Sequence, residues 1–373
     1  MRRQGPVVLA VVLTGAVAVV SAQSKPVTLS FYSSGDVNVK SLWENNLIPM
    51  YEKATPGVKI NLVFSQAGAG NQATVDRMAA AKKAGQPSGI DLIEGPVADA
   101  GDAGLLVKLD AKKVFRLNRV EENVFNRLNG FGLPYRGSSV VLAYDSAKVS
   151  RPPLNLEALL EWIVKNPGQF TYNTPDTGGS GNAFVTRILR LGIANADATT
   201  FETGYDAALV KQWDRGFETL KNLSKSLYNG GQYSKNNAET LQLLAKGAIT
   251  MGPVWSDQGL SALANGVLPP NIKLAQINPP FYGGSSYLGV AADSPNQTAA
   301  FRFLNWLLTE EAQTVVTQKM NGYPGVKIAF MPDAVRARFN ALAKTYSFGF
   351  SSKFGADMNR LWYERVAGTP QPK

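Results

Sequence analysis

The sequence contains neither cysteine nor histidine. Without cysteine there is no disulfide, no lipid attachment through an N-terminal Cys, no thiol nucleophile and no thiolate metal site. Without histidine there is no Ser-His-Asp or Cys-His machinery and no His-ligated zinc or copper, and the commonest general acid/base is gone. Catalysis would fall to carboxylates, lysine or tyrosine. Long apolar runs are scarce too: beyond the first two dozen residues no segment has the length and purity of a transmembrane helix, and no repeat or low-complexity linker interrupts the chain. The formal charge is +10, yet apart from Arg2-Arg3 the only adjacent basic pairs are Lys82-Lys83 and Lys112-Lys113. Such scatter reads as a solvated basic surface, with no nucleic-acid stripe.

What is present is a chain of 373 residues, 45% hydrophobic and 18% charged, too long for one ordinary core and too apolar for disorder. Two lobes are expected. At the start, Arg2 and Arg3, the run "PVVLAVVLTGAVAVV" and the small-residue end Val20-Ser21-Ala22 read as an export signal over residues 1–22. An uncleaved anchor is the alternative; the run is short for a spanning helix.

"VTLSFY" at 27–32 and "VKINLVF" at 58–64 alternate as strands, with a helix carrying Trp43, Leu47, Met50 and Tyr51 between them. A helix over about 72–85, a short buried strand "IDLI" at 90–93 and the run "GLLVKL" follow. Strands separated by single helices predict mostly parallel sheets covered on both faces. Further on, "GFGLPY", "SSVVLAY", "GQFTYN", "AITMG", "IKLAQINPP" and "SSYLGVAAD" read as strands. Asn155 is placed to cap the helix of Leu159, Leu160, Ile163 and Val164. Other helices are expected over about 205–228, 236–246 and 332–366.

Gly68-Ala69-Gly70-Asn71-Gln72-Ala73 matches the dinucleotide fingerprint G-x-G-x-x-A. The match is weak. Ser65, Gln66 and Ala67 separate it from the strand end, and Asp91 falls at the start of its strand, with Glu94 better placed for ribose. No cofactor is expected. The loop still suits backbone approach to a polar ligand at the edge of a parallel sheet.

At such an edge the loops after the strands converge. They supply Ser33, Ser34 and Asp36; Gln66 and Gly68; Glu94; Tyr135 and Arg136; Asp176, Ser180 and Asn182 from "TPDTGGSGN"; Trp255, Ser256 and Asp257; and Tyr282 and Tyr287. Hydroxyls, carboxylates, an arginine and aromatic faces together suit reversible binding of a small polar molecule. Trp255 also reads as a core residue, and "TGGSGN" as a turn leading into a helix cap. Asp36, Glu94 and Asp257 would suit a cation, whereas Arg136 would clamp a carboxylate or phosphate. The residues leave both readings open.

The pieces "YEKATPGVKINLVF", "IDLIEG" with "AGLLVKLD", "LPYRGSSVVLAYDSAKV", "NPGQFTYNTPDTGGSGNAFV", "LLAKGAITMGPVWSDQG" and "SPNQTAAFRFLNWLLTEEAQTVV" ending in "NGYPGV" occur in an order that resembles the family 1 extracellular solute-binding proteins of bacterial ABC importers. "NPGQFTY" with "GNAF", and "GPVWSDQGLSALANGVLPP", are especially similar to a branch distantly related to thiamine- and polyamine-binding members. The resemblance implies an α/β, two-lobed, periplasmic-binding-protein-like fold of type II, with a ligand cleft and hinge closure. It implies lobe 1 from residues 23–134 plus 277–330, lobe 2 from 135–276, and C-terminal helices in 331–373 packing on them. It puts Ser34, Glu94, Trp255 and Tyr287 near the cleft, a permease and its ATPase as partners, and a monomer in the periplasm. It also implies no catalysis and no metal: ferric-iron ligands of some relatives, a histidine or an adjacent tyrosine pair, have no counterpart here. The alternative is an exported carboxylate-based enzyme such as a glycosidase, with Asp36, Glu94 and Asp257 as its acids.

Overall fold

The computed structural model describes Met1 and residues 26–66, 70–339 and 347–369. The rest of the expected export signal, Gly68 and parts of the tail lie outside the described residues.

The alternating run of β1 (Val27–Gly35) puts Leu29 and Phe31 into a core and pairs in parallel with β2 (Val58–Gln66), Ser34 lying opposite Ser65 and Gly35 opposite Gln66. The short β3 (Leu92–Glu94) pairs in parallel with the other side of β1. All three strands therefore end at one edge. Beyond β3 the direction reverses. β7 (Gly283–Val290) runs antiparallel to β3, and β4 (Leu133–Asp145) runs antiparallel to β7. Among these strands the parallel pairing predicted for the sheets is thus confined to β1–β3; elsewhere it survives only in isolated bridges such as Phe170 with Met251.

β4 carries the architecture. Its residues 133–139 pair with β7 and, at Arg136 and Gly137, with β8 (Tyr323–Pro324), whereas residues 140–145 pair with β5 (Met251–Trp255) and β6 (Ile272–Ala275). One strand therefore belongs to two sheets and two cores. The first core holds Leu29, Phe31, Trp43, Tyr51, Phe303 and Leu304; the second holds Phe170, Tyr172, Phe184, Trp213, Phe217 and Phe281. The C-terminal helix Ser352–Trp362 closes the second with Phe354, Met358 and Trp362. Where the chain passes between sheets each face must still bury its apolar residues, so Val140 and Leu142 are fully buried on one side and Val141 and Ala143 on the other.

Two local irregularities interrupt these regular elements. Between Val37–Leu42 and Ile48–Ala54 the helix widens into a π turn over Trp43–Leu47. In β4 the register shifts between Pro134, opposite Tyr287, and Arg136, opposite Ser286, so Tyr135 is an extra residue. A bulge of this kind bends the strand and re-aims side chains. Gln313 satisfies the bulge by donating to the Tyr135 carbonyl (3.0 Å) and accepting from the Gly325 amide (2.7 Å). Gly325 packs so closely that a Cβ there would lie 2.4 Å from Tyr135 Cα.

Candidate functional site

At the edge where β1–β3 end sits Glu94, only 3% exposed. A buried carboxylate must be hydrogen-bonded or paired, and this one is both. Its Oε2 accepts from Ser33 Oγ (2.6 Å) and from the Trp43 indole Nε1 (2.8 Å). Its Oε1 accepts from the Tyr135 hydroxyl (2.5 Å) and faces Arg136 Nη2 at 3.7 Å. Arg136 Nε in turn donates to the Tyr135 hydroxyl (2.8 Å). In a regular strand Tyr135 and Arg136 would point to opposite faces; the bulge lets both reach Glu94. The π turn does the same for Trp43, whose buried N–H needs an acceptor.

A second carboxylate, Asp257, begins the helix Ser256–Ala264 that follows β5. It accepts from Ser138 Oγ (2.7 Å), which also contacts Ser256 Oγ (3.1 Å). Burial pushes the Asp257 carboxyl above the ordinary aspartate value, with Arg136 and Ser138 pulling the other way. Burial also pushes the Tyr135 hydroxyl well above its ordinary range, so it remains a donor. For Arg136 burial opposes the charge, but Tyr135, Glu94 and Asp257 outweigh it and raise its pKa. Arg136 thus lies electrostatically between two buried carboxylates, Glu94 and Asp257. Asp36, just before the helix Val37–Leu42, accepts from Gln258 Nε2 of the helix after β5.

Two cavities adjoin Glu94. One, of about 280 Å³, is lined among others by Tyr32, Ser33, Ser65, Asn71, Thr74 and Arg77. The other, of about 250 Å³, is lined by Ser34, Gly95, Leu128, Ser285, Ser286 and Tyr287. Both present several hydroxyls beside apolar groups, and Glu94 lines both. Arg77 is held by bonds to Tyr32 OH (2.8 Å) and the Ser88 carbonyl (2.8 Å).

Of the residues singled out in the sequence, Ser33, Glu94, Tyr135 and Arg136 form one bonded cluster. Ser256 and Asp257 form a second one, joined through Ser138. Ser34 and Tyr287 line the second cavity, with Tyr287 OH donating to the Val124 carbonyl (3.0 Å). Gln66 is exposed at the end of β2. Trp255 is half-buried, edge to face with Tyr282 at 6.1 Å, and rests on Gly179, whose carbonyl accepts from Tyr282 OH (3.1 Å). The remaining three take other partners. Asp176 accepts from Tyr363 OH (3.0 Å), Ser180 Oγ bonds to Asn173 and Asn237 Oδ1 (2.7 Å each), and Asn182 donates to the Pro175 carbonyl (3.0 Å).

Sequence reasoning missed Trp43, Ser138, Gln258, Ser285 and Ser286. For Trp43 a signal existed, since a tryptophan buried at helical spacing still has an N–H to satisfy. The fingerprint reading gains nothing: Asp91 is buried and serves the fold, accepting from the Ser30 amide (2.7 Å) and Ser294 Oγ (2.5 Å). Among the described residues no group of three or more His, Cys, Asp or Glu side chains could hold a metal ion, and no helix is long and apolar enough to cross a membrane.

The fold is similar to that of an extracellular solute-binding protein from Bordetella parapertussis (TM-score 0.71, 18% identity, covering 91% of this chain and 98% of that one). It is also similar to an ABC transporter structure from Clostridium perfringens ATCC 13124 (0.67, 15%, 91% and 100%). A third similar structure is the spermidine/putrescine ABC transporter substrate-binding protein PotD from Streptococcus pneumoniae (0.64, 14%, 91% and 98%). At these identities the likeness is one of fold. No curated protein matches the sequence. The family model for bacterial extracellular solute-binding proteins matches residues 46–338, well over half of the chain. This chain therefore belongs to the bacterial extracellular solute-binding protein family.

Proposed function

We propose that the protein is the periplasmic solute-binding component of an ABC importer, delivered by a cleaved signal over residues 1–22. It captures a small polar solute between two lobes, closes on it by hinge motion and hands it, as a monomer and without chemistry, to a membrane permease driven by an ATPase. The observation that carries this reading is the buried cluster of Ser33, Trp43, Glu94, Tyr135 and Arg136. It stands where the strands of one lobe end and β4 leaves for the other. The lobes are proposed as 23–134 plus 277–330 and 135–276, with 331–373 packed on them; the exchange of β4 partners at Val140 is what suggests two units, and it falls a few residues beyond the first of these bounds. A strand shared by both lobes is a suitable hinge, because its ends can rotate while its ladders stay intact.

Cavities beside Glu94 that carry several hydroxyls suit orientation of a polar solute, and Trp255 of the other lobe, edge to face with Tyr282, offers a ring face. A glycosidase would need two carboxyl groups facing a sugar. Here Glu94, Asp257 and Asp36 are all engaged by protein donors, which favours binding over hydrolysis.

The test is thermal unfolding of the purified protein against sugars, polyols, organic acids, phosphates, thiamine derivatives, polyamines and NAD(P). A solute at a hundredfold over its Kd adds about 2.7 kcal/mol. A saturable shift with one solute class and no turnover of chromogenic glycosides is expected; turnover, or a shift with NAD(P) alone, would overturn the reading.

A further inference from the structure

We propose that Arg136 sets the charge class of the solute: it is a built-in cation lodged against the cleft carboxylates, and the site therefore takes solutes without net positive charge. The inference rests on the solute-binding reading and deepens it.

Three donors and a guanidinium already converge on Glu94. Ser33 and Trp43 fill Oε2, Tyr135 donates to Oε1, and Arg136 faces Oε1 at 3.7 Å. A carboxylate offers about four lone-pair sites; three are filled, and the guanidinium stands beside the oxygen that carries the remaining one, so an incoming ammonium would meet a cation there. Any other approach would have to displace a donor held by a buried strand or helix, and to do so beside a guanidinium. Arg136 is not free to swing aside, because its Nε is bonded to the Tyr135 hydroxyl and only 12% of its side chain is exposed. The other two cleft acids are likewise occupied, Asp257 by Ser138 and Asp36 by Gln258. Burial additionally favours the neutral form of Asp257. The charge of Glu94 is thus compensated within the protein, and the adjoining cavities present several hydroxyls beside apolar groups, with Arg77 adding positive charge. Specificity of this kind works by repulsion of the wrong ligand as much as by attraction of the right one.

The test uses putrescine and spermidine as cationic probes, with sodium chloride at matched ionic strength as control, read by thermal unfolding. The parent protein is expected to show no saturable shift with either amine. R136M removes the internal cation and leaves Glu94 unpaired. Its melting temperature should fall, and putrescine but not salt should restore it saturably, with an affinity at least about tenfold above that of the parent. The double variant R136M/E94Q removes both charges; it should melt above R136M and respond to putrescine no more than the parent does. A tight, saturable shift of the parent with either amine overturns the proposal, as does an R136M response equal to that of the double variant. If R136M does not fold, the parent titration decides. Failure of the solute-binding reading has a different signature: no solute of any class shifts the parent, while the comparison of R136M with the double variant remains readable.

Discussion

Glu94→Gln tests whether the buried cluster is held by charge or by shape. The substitution keeps the volume and one carbonyl acceptor but replaces the other oxygen with an NH2 group. Trp43 Nε1 and the Arg136 guanidinium can only donate, whereas the Ser33 and Tyr135 hydroxyls can turn and accept. The favoured arrangement keeps the new carbonyl on Ser33 and Trp43, in place of Oε2, and turns its NH2 toward Tyr135 and Arg136. Tyr135 can adapt; Arg136 cannot, and it is left largely buried opposite a donor. Breaking a buried pair by removing one partner costs about 3–5 kcal/mol. The bond from Arg136 Nε to Tyr135, the nearby Asp257 carboxyl and the remaining exposure of Arg136 reduce this, so about 3 kcal/mol is expected. For a chain of this length that corresponds to a fall in Tm of roughly 4 °C. The control is Glu161→Gln, which breaks an exposed pair with Lys165 on the helix Leu156–Lys165 and should leave stability essentially unchanged. Urea and thermal unfolding of both variants decide it. Equal small losses for the two would refute the claim that Glu94 is an electrostatic keystone.

Gly325→Ala would drive a Cβ to 2.4 Å from the Tyr135 backbone; it should cost about 2–3 kcal/mol by calorimetry and weaken solute binding through the displaced bulge, and a variant with parental stability would show that the bulge is soft. Trp255→Ala removes a half-buried ring that packs edge to face with Tyr282. It should weaken binding of the identified solute by more than tenfold while lowering stability by about 2 kcal/mol or less; equal affinity in isothermal titration would remove Trp255 from the site. Asp257 has a carboxyl pKa raised by burial above the ordinary 3.8. Its contribution to stability is therefore full below that ordinary value and is lost as pH rises through the raised value. Asp257→Asn should accordingly be more favourable relative to the parent at pH 7 than at pH 4; a gap that stays constant, or runs the other way, contradicts the assigned direction.

The strands β1 and β2 were legible because one face of each is buried and the other is not, and the period-2 pattern records that difference. The helix Leu156–Lys165 was legible for a similar reason, burying Leu156, Leu159 and Ile163, and the Asn155 side chain does accept from the Ala158 amide (2.8 Å) as its position suggests; the helix Asn71–Ala84 buries Met78 alone, with Ala79 exposed. Where the partner is remote, periodicity says less. "GFGLPY" and "SSVVLAY" read as two strands, yet they contribute to the single β4, because its continuity comes from exchanging one set of partners for another at Val140. "GLLVKL" and "GQFTYN" have strand composition but make only isolated bridges, at Leu106, Phe170 and Asn173. The helix expected over 205–228 is a 3-10 stretch Ala207–Trp213 followed by Asp214–Ser224.

The candidate site was legible as residue types and much less as a constellation, and the reason is specific. Its two decisive devices, the π turn at Trp43 and the bulge at Tyr135, each depart from the period that makes helices and strands readable. Neither is dictated locally. Trp43 and Tyr135 lie 51 and 41 residues from the carboxylate they serve, and without that carboxylate an ordinary helix and an ordinary strand would satisfy the same backbone. The irregularities exist because a buried Glu94 needs three donors and a guanidinium from three different elements, and only an offset of one residue in two of those elements aims them together. In chains of this kind a buried acid after a short apolar strand is therefore a reason to look for broken periodicity elsewhere, since the fold must supply the counter-charge and donors that local sequence does not.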